Sequence, residues 1–181
     1  MRFHFLNRIG FWLFLPIAAL QGLRLRRTAT RLPEAAGEKS GACGHGEAIH
    51  LLAMGDSIIA GVGTGTMDRS LPVQFAHALA EGQSHQVQWH VDGRNGADIA
   101  HLRRQVSRLA QNQKADLILI SIGVNDVTGL SSTRYWRSQV ETLVMELKQA
   151  WPQARVMFAG LPPMGKFPLP PQPLRFTLGM R

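Results

Sequence analysis

Cysteine is nearly absent. The 181 residues hold one, Cys43, which excludes an intrachain disulfide framework and any multi-thiolate zinc or iron–sulfur centre. It lies in a run of small residues, Ser40 to Gly46, and reads as an incidental thiol rather than a lipid attachment point. Long apolar runs are also scarce: the one near the N-terminus, Ile9 to Leu20, has 12 residues, short of the roughly 20 a spanning helix needs. Excess charge is confined. The net +8 divides into +5 over residues 1–39 and +3 over the other 142, so the basic balance marks an N-terminal segment and no nucleic-acid face. Aspartate and histidine stop at Asp126, and the last 55 residues contain neither. A histidine base oriented by an aspartate therefore cannot come from that stretch.

What is present suits one compact domain. With 45% apolar and 18% charged residues and no internal repeat, the chain can bury a core and lacks the signature of disorder. Residues 1–27 read as a membrane-associating segment: Arg2 and Arg8 flank the apolar run on one side, and Arg24, Arg26, Arg27 and Arg31 on the other. Stretched from Phe3 to Leu23, at the cost of Asn7, Arg8 and Gln21, the run reaches spanning length. An uncleaved anchor and an interfacial helix both fit. A cleaved signal is opposed by the following arginines and by the lack of a small-x-small site. Four arginines after the run against two before it favour the cytoplasmic face for the domain, with a periplasmic or secreted location left open. Residues 28–46 read as a linker to a domain over 47–181.

Within that domain, short apolar runs alternate with amphipathic stretches. Strands are expected at 50–54, 87–91, 117–122 and 155–159, the third (Leu117 to Ile122) apolar enough to be buried on both faces. Helices are expected at 72–81, with Ser70 and Pro72 as start signals and Gly82 as the stop, at 98–111, and at 135–151. Ile99, Leu102, Val106 and Leu109 form one helical stripe, and Val140, Leu143, Val144 and Leu147 another. The β-α-β-α-β-α-β order implies a parallel sheet between helix layers, with ligands at the carboxyl ends of the strands.

Those ends carry the informative residues: Gly55-Asp56-Ser57, then Asp92-Gly93-Arg94-Asn95-Gly96, then Gly123-Val124-Asn125-Asp126, then Gly160-Leu161-Pro162-Pro163. A serine just past a buried strand can present its hydroxyl to the crevice, where backbone N–H groups and an Asn amide can donate to a developing oxyanion. Each also has a purely structural reading: Ser57 as a cap, Gly96 as a turn residue with positive φ, Asn125 as an Asx bond pinning a loop. The ordered set, from Gly55 to Gly61 through Asn95-Gly96 to Gly123 to Asp126, resembles the SGNH hydrolases, the GDSL esterase and lipase family, over about residues 49 to 163. The resemblance implies a three-layer α/β/α, flavodoxin-like fold and no metal or organic cofactor, while the charge distribution argues against a nucleic-acid partner. It implies Ser57 as the acyl-accepting nucleophile, with the Ser57 N–H, the Gly96 N–H and the Asn125 side chain as the oxyanion hole. Gly93, three residues before Gly96, competes for the second place. Asp56 and Asp126 are read as loop-fixing groups.

The family's base is a histidine near the C-terminus with an aspartate a few residues before it. Here that block is absent, so the expectation is a domain without its last strand and helix, ending in a helix that opens near Pro173. None of the seven histidines, His4, His45, His50, His77, His85, His90 and His101, matches the family's position; His101 is the least remote substitute. Two functions stay open: a serine esterase impaired as it stands, and a non-catalytic, membrane-tethered binding domain of the same fold. The apolar loop Leu161 to Leu169, with the N-terminal segment, favours lysophospholipids or short acyl esters over sugar acetates. Gly61-Val62-Gly63-Thr64-Gly65-Thr66 lacks the Lys-Ser/Thr of a phosphate loop and reads as a flexible loop beside the crevice.

Overall fold

A computed structural model describes residues 2–28, 30, 32–161, 163–166 and 170–179. The chain divides into two units, Leu32–Gly160 and Met1–Arg31 with Leu161–Arg181. In the larger unit the strands are β1 (Ser40–Cys43), β2 (Ala48–Gly55), β3 (Gln86–Gly93), β4 (Leu117–Ser121) and β5 (Arg155–Phe158), in the sheet order β1-β3-β2-β4-β5. β2 pairs in parallel with both β3 and β4, and β4 in parallel with β5.

The near-continuous apolar runs of β2 and β4 arise because both faces of these strands are buried. Leu51, Ala53 and Leu119 point to one core, Leu52, Met54, Ile118 and Ile120 to the other. Helix α2 (Leu71–Gln83) closes the first with Val73, Ala76 and Ala80. Helices α3 (Ile99–Leu109) and α5 (Thr133–Ala150) close the second with Leu102, Val106, Leu143 and Leu147, the two stripes legible in the sequence. The unit is thus the expected α/β/α sandwich. Asp98 caps α3 by accepting the His101 N–H at 2.8 Å, and Ser132 caps α5 by accepting the Tyr135 N–H at 3.2 Å. The Arg103 guanidinium ties α3 to α5, donating to both Glu146 carboxylate oxygens at 2.6 to 3.2 Å and to Gln139 at 2.6 Å.

Several expectations are corrected. Residues 40–43, assigned to the linker, form β1, which pairs antiparallel with β3 from Ser40 opposite His90 to Cys43 opposite Val87, so the sheet is mixed. The reason the composition misleads is steric: a Cβ on Gly41 would lie 2.5 Å from the Trp89 ring. Small residues are required there, and a short, mostly exposed edge strand has no apolar alternation to read. Cys43 is accordingly half-buried on β1, its thiol pushed up by burial and by Glu81. Upstream, Ala35 and Ala36 donate to Ala60 and Gly65, so the 61–66 loop is hydrogen-bonded to former linker residues. Ser70 stands at the N-cap of α2, but its hydroxyl donates to the Met67 carbonyl at 2.6 Å instead of capping the helix. That helix runs through Gly82 and stops at Ser84, which takes the left-handed conformation with φ +52°. The five-residue helix α4 (Val124–Thr128) was not foreseen.

The smaller unit contains helices α1 (Arg2–Thr28), which carries Pro16 inside it, and α6 (Leu174–Gly179). Gln21 holds α6 by accepting the Leu174 N–H at 3.0 Å and donating to the Gln172 carbonyl at 2.8 Å; Phe14 and Phe176 meet edge to face at 6.4 Å. Phe14, Ala18 and Gln21 therefore share the face of α1 turned to α6. Leu13, Ile17, Leu20 and Leu23 are 52 to 70% exposed. Among the described residues no helix is long and apolar enough to cross a membrane.

Candidate active site

The site grows from the ends of β2, β3 and β4. Gly55, the last residue of β2, pairs with Gly93 and with Ser121, so the three chains leave the sheet about 4.8 Å apart. Close approach dictates both glycines. A Cβ on Gly55 would sit 2.0 Å from the Ser121 carbonyl oxygen, at φ +147°, and one on Gly93 would sit 2.2 Å from the Ala60 nitrogen. The turn carrying Ser57 therefore rests directly on the end of β3.

Asp56 holds that turn. Its N–H donates to the Ser121 carbonyl at 2.9 Å, and its buried carboxylate accepts the Ile58 N–H at 3.0 Å and the Ser121 hydroxyl at 3.2 Å. Burial raises its pKa, opposed by these hydrogen bonds. Ser57 follows, half-buried. Among the described residues neither its N–H nor its hydroxyl has a hydrogen-bond partner, although its carbonyl accepts the Val62 N–H at 3.0 Å.

The second loop is tied in by the Arg94 N–H, which donates to the Gly55 carbonyl at 3.0 Å, and by the Asn95 N–H, which donates to Glu34 at 2.8 Å. Gly96 lies exposed at φ +82°, a conformation that favours glycine, and its N–H has no partner among the described residues. Gly93 is instead buried at the end of its strand, consumed by packing against Ala60. Asn125, near the start of α4, donates one amide hydrogen to the Ala97 carbonyl at 2.7 Å, which fixes the side chain and leaves its second N–H. The Ala97 anchor and the Glu34 clamp had no sequence signal, since loops bring together residues of ordinary type.

Asp126 clasps α3: its buried carboxylate accepts the Ile99 N–H at 3.1 Å and 3.3 Å. Burial, together with the charges of Asp98 and Asp56, raises its pKa to about 6, against the pull of the Ile99 bond. The native state therefore holds a proton on Asp126 that the unfolded chain releases near pH 3.8. Its contribution to stability is greatest below that value and falls as pH rises toward about 6. Asp126→Asn keeps an acceptor for Ile99 without the charge. Urea unfolding is expected to show it more stable than the parent by about 1–3 kcal/mol at pH 7.5, with the difference vanishing near pH 4. An equal difference at both pH values would contradict this.

Among the described residues none of His50, His77, His90 and His101 is hydrogen-bonded to a carboxylate at these strand ends. His50 bonds the Asp116 carboxylate through Nδ1 at 2.8 Å, but it lies near the start of β2, about 16 Å of strand before Gly55. His90 meets the Ser40 hydroxyl at 2.6 Å, His77 is exposed on α2, and His101 touches the Arg104 guanidinium at 3.4 Å. No cluster able to hold a metal ion occurs among the described residues.

The GDSL-like lipase/acylhydrolase family model matches residues 53–180. Among solved structures, the chain resembles AlinE4, an SGNH-hydrolase family esterase, with TM-score 0.56, 25% identity, and coverage of 65% of this chain and 62% of that one. It also shares its fold with a lipolytic protein of the G-D-S-L family from Veillonella parvula DSM 2008 (TM-score 0.55, 14% identity, 72% of this chain and 66% of that one). TesA is similar too, at TM-score 0.55, 20% identity, and 72% and 68% coverage. The chain thus spans less than two thirds of the length of the first two. Among curated proteins none matches it. With the family model covering residues 53–180 and the site blocks in their order along it, this chain belongs to the GDSL-like lipase/acylhydrolase family of SGNH hydrolases.

Proposed function

We propose that the domain hydrolyses carboxylic esters through an acyl-enzyme on Ser57. The observation that carries this reading is the set of unengaged polar groups at three adjoining strand ends: the Ser57 hydroxyl, the Ser57 and Gly96 N–H groups, and the second amide hydrogen of Asn125. In the proposed reaction Ser57 Oγ attacks the ester carbonyl carbon. The charge that develops on the carbonyl oxygen is met by these three donors, fixed in advance by the Asp56 and Ala97 contacts. Collapse expels the alcohol and leaves Ser57 acylated, and water then releases the acid. The proton of Ser57 needs a base, and none of the histidines described above is placed as one with a carboxylate partner.

Asn125→Ala tests the oxyanion role. Hydrolysis of p-nitrophenyl butyrate is expected to fall about 100-fold in kcat with KM nearly unchanged, because the donor acts on charge present only in the transition state. A loss expressed in KM alone would make Asn125 a substrate-binding group and contradict the assignment.

We further propose that α1 lies on a membrane surface and that the esters are lipid-derived or carry short acyl chains. Leu13, Ile17 and Leu20 recur at helical spacing and are exposed, and burying each in a lipid interface favours binding by about 1.5 kcal/mol or more. Vesicle flotation is expected to recover the protein with the lipid, and the triple variant Leu13→Ser, Ile17→Ser, Leu20→Ser to remain in solution. Equal flotation of the two would contradict an interfacial α1.

A further inference from the structure

The segment ahead of β1 lies across the first site loop. Ala35 and Ala36 donate to the Ala60 and Gly65 carbonyls at 3.0 Å, and the Gly63 N–H donates to the Pro33 carbonyl at 3.2 Å. Ala35 is buried, and a Cβ on Gly61 would come within 2.7 Å of the Ala35 Cβ. Residues 33–36 thus form a strap fixed to the loop that follows Ser57, with a bonded residue on either side of Glu34. From that base the Glu34 carboxylate reaches the second loop. Its Oε1 accepts the Asn95 N–H at 2.8 Å, while Lys39 lies 3.8 Å from Oε2.

Glu34 holds the residue next to the proposed oxyanion donor. Arg94 to Ala97 is a tight turn closed by the Ala97 N–H donating to the Arg94 carbonyl at 3.1 Å. The feet of the turn are secured: Gly93 and Ala97 are buried, the Arg94 N–H bonds the Gly55 carbonyl, and the Ala97 carbonyl accepts from Asn125. The tip, Asn95 and Gly96, is exposed, and the Gly96 N–H has no bond there. A Cβ on Gly96 would meet no atom within 4 Å, so packing does not steady it. Among the described residues, the bond to Glu34 is what ties an N–H of this tip to the rest of the domain. Because the acceptor is a carboxylate, that bond is about twice as strong as a neutral one.

We infer that Glu34 is a positioning residue for ester hydrolysis: by pinning the Asn95 N–H to the strap, it keeps the Gly96 N–H oriented as an oxyanion donor in the frame that carries Ser57. The inference rests on the Ser57 reading and adds to it a residue that lies ahead of the family-matched stretch, 53–180. Glu34 acts as a hydrogen-bond acceptor, so its negative charge is dispensable. An oxyanion donor is effective only when its orientation is set before the charge develops.

The test is amide NMR relaxation of the 181-residue protein, with Glu34→Ala and Glu34→Gln beside the parent. The Gly96 N–H order parameter is expected at about 0.85 in the parent and in Glu34→Gln, which keeps an acceptor, and below about 0.6 in Glu34→Ala. Glu34 is exposed, so both variants are expected to keep the α3 and β4 order parameters of the parent. With p-nitrophenyl butyrate, Glu34→Ala is expected to lose about tenfold in kcat at unchanged KM, and Glu34→Gln to match the parent. A rigid Gly96 in Glu34→Ala, or loosening that extends to α3 and β4, overturns the inference. So does a Gln variant as loose as the Ala variant, which would assign the effect to charge. Unchanged kcat beside a loosened Gly96, or a loss in KM alone, overturns it as well. A parent that holds Gly96 rigid through Glu34 yet never hydrolyses the ester would fail the esterase reading alone.

Discussion

Ser57→Ala is expected to lower kcat/KM for p-nitrophenyl butyrate by at least about 10⁴-fold in a form of the protein whose site is supplied with a base, by fusion to the C-terminal block of a solved relative. The magnitude follows from how nucleophile and base act as a unit: with the base in place, removing the serine removes the covalent route. In the 181-residue chain the same substitution is expected to change the rate little, because among the described residues none of His50, His77, His90 and His101 bonds a carboxylate at these strand ends. There, what acceleration remains comes from oxyanion donors that Ser57→Ala largely preserves, since the residue 57 N–H is backbone. A fused mutant with undiminished activity would remove Ser57 from the mechanism.

Gly55→Ala is expected to be the most damaging single substitution for stability. The new Cβ meets the Ser121 carbonyl oxygen at 2.0 Å, a backbone atom with no rotamer to retreat into, and φ is +147°. Backbone strain of about 1–3 kcal/mol combines with overpacking of about 1–3 kcal/mol, lowering Tm by on the order of 10 °C. It also pushes apart the β2 and β4 ends that position Ser57 and α4. A thermal melt by circular dichroism reads the effect, and a shift under about 2 °C would show that the strand ends separate without cost.

The sequence made the sandwich legible wherever burial imposes a period. Leu51 to Met54 and Leu117 to Ile120 are apolar on both faces, the α3 and α5 stripes recur at helical spacing, and each strand–helix alternation fixed one parallel step. It failed where structure is set by contacts without periodicity. β1 is four small residues chosen to fit under Trp89, and α4 is a single turn-and-a-half organised by what Asn125 and Asp126 bind across the chain. The end of α2 was misplaced because Ser84, not Gly82, takes the left-handed position.

The site divides in the same way. Ser57, Gly96 and Asn125 stood out because short blocks follow apolar strands, and the structure puts all three at adjoining strand ends. The Glu34 and Lys39 contacts did not stand out, since both residues precede Asp92 and Arg94 by more than 50 positions. The pairing of β1 with β3, extended by the Val91 N–H donating to the Lys39 carbonyl at 2.7 Å, and the Asn95 N–H bond to Glu34 bring those charges together. His101, Arg104 and Arg108 do share one face of α3 at helical spacing, a pattern that a search for basic helix faces picks out.

Whether the Ser57 hydroxyl takes up the acyl group is read directly by peptide-level mass spectrometry of the base-supplied protein after reaction with a fluorophosphonate, which forms a stable adduct at an activated serine. One modified peptide is expected, with the adduct on Ser57 and its loss in Ser57→Ala. An adduct on another serine, or none at a site supplied with its base, would contradict it.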